Sequence, residues 1–166
     1  MVSKLFSDAF LLGMNLGGVK YFPDCNQEYY SEFIHFIRKT KKSLCLFLPE
    51  TDFTFFCKPF TLSSLDSILG KNSDIKIIFH GQESSKLKED CLSELTEKYL
   101  DRLKISFLPF QLKSHYGVSD NEHVFIEGDN SEIYFFNRDK AYARKIGESF
   151  DKFISLLDSH NLVRSF

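Results

Sequence analysis

The chain has no tryptophan, only four prolines, four cysteines and two methionines among its 166 residues. Each scarcity excludes something. Four prolines do not make a Pro-rich linker, and no low-complexity tract or internal repeat interrupts the sequence. The cysteines, Cys25, Cys45, Cys57 and Cys91, form no C-x-x-C pair, and no Cys/His run has zinc spacing. They are therefore expected to be reduced, with Cys45 a small buried thiol, in an intracellular, cytoplasmic protein. No apolar run reaches the roughly 18 residues of a transmembrane helix. The run Ala9–Leu16 also lacks the layout of a signal peptide. A strong basic balance is missing too: the formal net charge is −2. That offers no support for sequence-independent nucleic-acid binding, which is driven by phosphate neutralisation, and none for a phospholipid surface. Finally there is no G-x-S-x-G elbow, no G-x-G-x-x-G and no P-loop, so a serine hydrolase, a dinucleotide enzyme and a P-loop NTPase are unsupported.

What the chain has in abundance is phenylalanine, with 19 copies. Most of them must be buried, which predicts an aromatic core. The length fits one domain. Residues 1–19 are read as an N-terminal segment packed on a domain of residues 20–166, with membrane contact by the segment left open.

Periodicity supplies the elements. Asn26–Thr40 carries Tyr29, Tyr30, Phe33, Ile34 and Ile37 at helical spacing and ends in a basic run suited to a helix C-terminus. Ser43–Leu48 is a continuous apolar strand stopped by Pro49. Phe53–Phe60 is aromatic and irregular. Thr61–Gly70 reads as a helix, Asp74–Phe79 as a second buried strand, Ser84–Leu100 as a helix and Leu103–Leu108 as a third strand. His115–Val118 and His123–Ile126 form a hairpin around Asp120-Asn121. Ile133–Phe136 is a further strand, and Lys140–Leu157 a closing amphipathic helix. This alternation predicts an α/β fold: a mixed, mostly parallel sheet with helices on both faces.

Lys113-Ser114-His115-Tyr116-Gly117-Val118-Ser119-Asp120 resembles the H-x-K-x-x-x-x-D strand of phospholipase D-like proteins, with the His and Lys positions exchanged. The order of the flanking segments resembles the same family over residues 20–158. These are Tyr21-Phe22-Pro23 before a helix, Lys41-Lys42-Ser43-Leu44, Asp74-Ile75-Lys76-Ile77-Ile78, Arg102-Leu103-Lys104-Ile105, and Asn137-Arg138-Asp139 before the last helix. The likeness is to the small single-domain members, of bacterial endonuclease and mitochondrial cardiolipin hydrolase type. It implies a phospholipase D-like domain, pairing as a homodimer, with a degenerate site of Lys113, His115 and Asp120. A second register puts the family His at His123 and the family Asn near Asn137. The family's G-S-x-N turn is missing, and Glu127-Gly128-Asp129-Asn130 is the nearest substitute.

The resemblance with its broken motif implies a non-catalytic protein, a pseudoenzyme acting as a binding or scaffold subunit with a protein partner. The alternative is a phosphodiesterase or nuclease whose His/Lys site is rebuilt at the dimer interface. A third reading, nucleic-acid binding along Lys39, Lys41, Lys42 and Lys113, rests on those cations alone. His80 follows a strand at its C-terminal end, where open α/β sheets place ligands, and joins His123 and Asn137 as a candidate binding residue. His35 is expected to be structural. No cofactor and no metal are expected, since His115, His123, Glu127 and Asp129 match no ligand spacing.

Overall fold

The structure, a computed structural model, describes residues 19–22, 27–84, 90–112, 115–127, 133–136, 138–159 and 164–165. Eight strands form one sheet: β1 (Val19–Phe22), β2 (Ser43–Pro49), β3 (Asp74–His80), β4 (Leu103–Leu108), β5 (His115–Ser119), β6 (His123–Glu127), β7 (Ile133–Phe136) and β8 (Arg164–Ser165). Their order across the sheet is β1-β7-β6-β5-β2-β3-β4-β8. The helices are α1 (Gln27–Lys39), α2 (Phe53–Phe56), α3 (Pro59–Leu69), α4 (Asp90–Lys98) and α5 (Lys140–Ser159). The predicted α/β class and mixed sheet hold. The parallel part is smaller than expected: β2–β3 and β3–β4 run parallel, and the other neighbouring pairs antiparallel. Two features reduce it. The β5–β6 hairpin joins the sheet antiparallel to β2, and the short strands β1 and β8 close its two edges.

Both sheet faces are covered. On one, α1 through α4 pack against Leu44, Leu46, Ile75, Ile77 and Phe79. On the other, α5 places Phe150 and Phe153 against Phe47, Ile78 and Leu108, and Ala143 against Val124 and Phe136. The aromatic core is centred on Phe33, whose ring lies 5.2 Å from Phe125, 5.7 Å from Phe55 and 6.1 Å from Phe56. Gly117 leaves room for the Leu46 side chain of β2, which a Cβ there would meet at 2.6 Å, and for Phe36 of α1, which it would meet at 3.3 Å.

Three expectations change. Phe53–Phe56, read as irregular, is a short helix that buries Phe53, Phe55 and Phe56. Helix α4 spans only Asp90–Lys98, and the earlier part of the predicted helix, residues 85–89, lies outside the described residues. The cysteines are not all reduced, since Cys57 and Cys91 form a disulfide with a Cα–Cα distance of 5.3 Å. The bond joins the turn after α2 to the first turn of α4, a proximity that sequence spacing does not reveal. Cys45 is a free thiol, pushed up to about 11 by burial, and Cys25 lies outside the described residues. No described helix is long and apolar enough to cross a membrane.

Asp120 has a structural task. Its carboxylate accepts hydrogen bonds from the backbone N–H groups of Lys41 (2.8 Å), Lys42 (2.7 Å) and Ser43 (3.0 Å). It thereby pins the loop after α1 to the start of β2. Asp120 and Asn121 both have positive φ (55° and 56°), which Asp and Asn tolerate best after glycine. Replacement by Ala removes three acceptor contacts and adds backbone strain. Hydrogen bonds to a charged group contribute about 1.5–3 kcal/mol each when buried and less at a surface. Asp120→Ala is therefore expected to lower unfolding stability by about 2–3 kcal/mol, with Asp120→Asn intermediate, read from urea midpoints. A change below about 0.5 kcal/mol would remove the clamp from the account.

Candidate functional site

The parallel strands β2 and β3 end at Pro49 and His80. Strand β5 runs the other way beside β2, so its first residue, His115, arrives at the same end of the sheet. The register pairs His115 directly with Glu127 of β6, which places the two side chains on one face. The turn Glu50–Asp52 leaves β2 over this edge. Together these segments line a cleft of about 380 Å³ with Tyr30, Glu50, Asp52, His80, His115 and Glu127 on its walls. The location is the one open α/β sheets use for ligands, outside the carboxyl ends of parallel strands.

The two imidazoles lie tilted against each other, 4.9 Å between ring centroids, and His80 also stacks on Phe47 at 4.6 Å. His115 Nδ1 lies 2.8 Å from Glu127 Oε2. His80 Nδ1 accepts the backbone N–H of Leu112 at 3.2 Å. As an acceptor at Nδ1, neutral His80 carries its hydrogen on Nε2, and the Glu127 carboxylate accepts a hydrogen from His115 Nδ1. Neither Nε2 has a hydrogen-bond partner, and both are buried. Gly81 follows His80 and leaves room for Glu50, because a Cβ there would collide with the Glu50 side chain. Glu50 in turn accepts the Glu83 N–H at 2.8 Å.

Burial, then the positive charge that His115 can carry, lowers His80 to about 4, so it is neutral near pH 7. Burial, then the negative charge of Glu127, pushes Asp52 up to about 6, with His115 opposing. The cleft thus holds three carboxyl groups and a neutral imidazole, and among its described lining residues there is no Lys or Arg. Among the described residues no group of three or more His, Cys, Asp or Glu is arranged to hold a metal ion.

The structure brings His80 and His115 together. Asp120 and His123 lie at the other end of the β5–β6 hairpin, about 16 Å along the strand from His115 at roughly 3.3 Å per residue. There His123 Nδ1 accepts the Arg138 N–H at 3.4 Å. Lys113 and Asn137 lie outside the described residues, as do the turn 128–130 and most of the segment 1–19. Lys41 and Lys42 sit at the Asp120 end, away from the cleft. His35 is exposed on α1 and lines a shallow groove with Tyr30, Arg38 and Phe60. The sequence reading missed Glu50, Asp52 and Tyr30. The available signal was a polar turn directly after a buried strand, Pro49-Glu50-Thr51-Asp52.

No family model matches the chain, and no curated protein matches it by sequence. Solved structures do. TrmBL2, an archaeal chromatin protein described as showing a novel mode of DNA binding, superposes with a TM-score of 0.65 at 12% identity. The match covers 92% of this chain and 61% of TrmBL2, so the chain spans less than two thirds of that protein. Nuc from Salmonella typhimurium, a phospholipase D family member, gives 0.59 at 12% identity over 89% of this chain and 95% of its own. NucT from Helicobacter pylori gives 0.61 at 15% identity over 82% and 95%. The chain has the phospholipase D-like fold.

Proposed function

We propose that this chain, with its phospholipase D-like fold, is a binding protein that does not cleave phosphodiesters and serves as a ligand- or partner-binding subunit. The character of the cleft carries this reading. Phosphoryl transfer needs cations around the phosphate oxygens to stabilise developing negative charge. Here Glu50, Asp52 and Glu127 surround the imidazoles, and the described walls offer no Lys or Arg. A phosphodiester placed there would face carboxylates.

A second reading rests on one contact. The His115–Glu127 hydrogen bond leaves His115 Nε2 free, the arrangement that activates an imidazole as base or nucleophile. With Lys113 and a second subunit supplying charge, this would be a rearranged phosphodiesterase or nuclease. One experiment separates the two. The purified protein is incubated with bis(4-nitrophenyl) phosphate, single- and double-stranded DNA, and RNA, with chelator and with added divalent ions. The binding reading predicts the same turnover for the native protein and for His115→Ala. Hydrolysis that disappears in His115→Ala would establish the phosphodiesterase instead.

A further inference from the structure

A groove of about 470 Å³ runs between α1 and α3, away from the imidazoles. Its middle is apolar. Ile34 is buried, Tyr30 is half-buried, and the Phe60 ring stands 45% exposed on the α3 side. Each end carries a cation. At one end Arg38 Nε donates to Ser64 Oγ at 2.9 Å, and the buried Ser64 hydroxyl donates onward to the Phe60 carbonyl at 2.8 Å. That contact holds the guanidinium across the groove. Its two terminal nitrogens have no partner among the described residues, and they form a fork suited to a carboxylate. At the other end the Lys58 ammonium lies 5.8 Å from the centre of the Tyr30 ring and 6.0 Å from that of Phe60. No Asp or Glu is among the described residues lining the groove.

We infer that this groove is a docking surface for an extended acidic segment of a protein partner. Tyr30 and Arg38 are eight positions apart on α1, which sets the two cations roughly 12 Å apart. In an extended peptide, residues i and i+4 are roughly 13 Å apart, and they share a face with i+2. The segment therefore carries carboxylates at i and i+4, one on Arg38 and one beside Lys58, with an apolar side chain at i+2 over Ile34 and Phe60. Arg and aromatic side chains are also the groups that most often anchor protein partners. Nucleic acid fits the groove less well, because two cations neutralise few phosphates and the chain carries a formal net charge of −2. The groove shares only Tyr30 with the cleft, so the inference goes beyond the cleft and holds whether the cleft binds or cleaves.

Isothermal titration calorimetry with the peptide Ac-Asp-Ser-Phe-Ser-Asp-NH2 tests this. The comparators are the same peptide with Lys for both Asp, the same peptide with Ala for Phe, and an oligothymidylate. The acidic peptide is expected to bind saturably at a Kd of about 1 mM or tighter, and each comparator at least tenfold more weakly. Arg38→Glu and Phe60→Ala alter exposed side chains, and circular dichroism checks that each keeps the fold. Each should weaken the acidic peptide at least fivefold. Arg38→Glu should in turn bind one of the two peptides with a single Asp replaced by Lys more tightly than the native protein does, a swap that a merely structural role for Arg38 does not produce. No binding of the acidic peptide, equal binding of the Lys peptide, indifference to Arg38→Glu, or tighter binding of oligothymidylate would overturn the inference. Its failure leaves the reading of the cleft standing, and cleavage that depends on His115 would remove that reading and keep this surface.

Discussion

Reduction of the Cys57–Cys91 disulfide is expected to lower unfolding stability by about 2–4 kcal/mol. The bond closes a loop with a sequence separation of 34 residues, which contains α3 and β3. Cross-linking a loop of that length removes entropy from the unfolded chain, and the loop-closure relation gives about 4 kcal/mol as an upper figure. The loop's elements α3 and β3 are packed through their own side chains, with Leu65, Ile68, Ile77 and Phe79 in one core cluster. The double variant Cys57→Ser/Cys91→Ser should match the reduced protein, with a urea midpoint well below that of the oxidised form. For a domain of this size the loss is a large share of total stability. Equal midpoints with and without reductant would show that the bond contributes nothing in solution.

The cleft should also leave a signature in the pH dependence of stability. His80 is lowered to about 4, so its neutral form is favoured in the native state. The unfolded chain binds that proton from about 6.5 downward, and native stability is lost as pH falls from there towards 4. Asp52 is raised to about 6, so the native state holds its proton more tightly than the unfolded chain does. Its contribution has the opposite sign: stability is lost as pH rises from about 4 to 6. Each shift corresponds to about 3 kcal/mol at 1.36 kcal/mol per pKa unit, so the two slopes largely cancel in the native protein. Single substitutions should expose them. Asp52→Asn should be more stable than the native protein at pH 7 by up to about 3 kcal/mol, and should lose stability steeply on acidification below 6.5. His80→Phe should gain stability between pH 6 and 4. Urea midpoints across pH 4.5–7.5 measure all three proteins, and parallel profiles would mean that the two groups are not held in this shared environment.

Much of the fold was legible because it rests on pattern. The apolar runs over Ser43–Pro49 and Asp74–His80 are buried strands, and the helical spacing in Gln27–Lys39 is the face that meets the sheet. Strands β1 and β8 were not legible, because short edge strands are defined by their partners, β7 and β4, rather than by periodicity. Helix α2 escaped because Phe53-Thr54-Phe55-Phe56 has no helical period; its helix follows from burying three rings at once. The disulfide escaped because cysteine connectivity cannot be deduced from spacing.

The site was half legible. His80 was marked by its place at the end of a buried strand, and His115 by the motif. Asp120 was grouped with them through spacing alone, yet a strand separates them, and Asp120 serves the loop before β2 instead. Glu127 was read as part of a turn and set aside as a metal ligand, although its pairing with His115 follows from the hairpin register. Asp52 and Glu50 come from a different segment, and only the antiparallel pairing of β5 beside β2 makes them neighbours of His115.

The most direct test of the cleft's character is a crystal structure of the protein soaked with tungstate. The binding reading predicts no oxyanion between His80 and His115, because Glu50, Asp52 and Glu127 repel it. Tungstate held there by His115 Nε2 and Lys113, most tellingly across a two-fold axis, would contradict that reading and assign the cleft to phosphodiester chemistry.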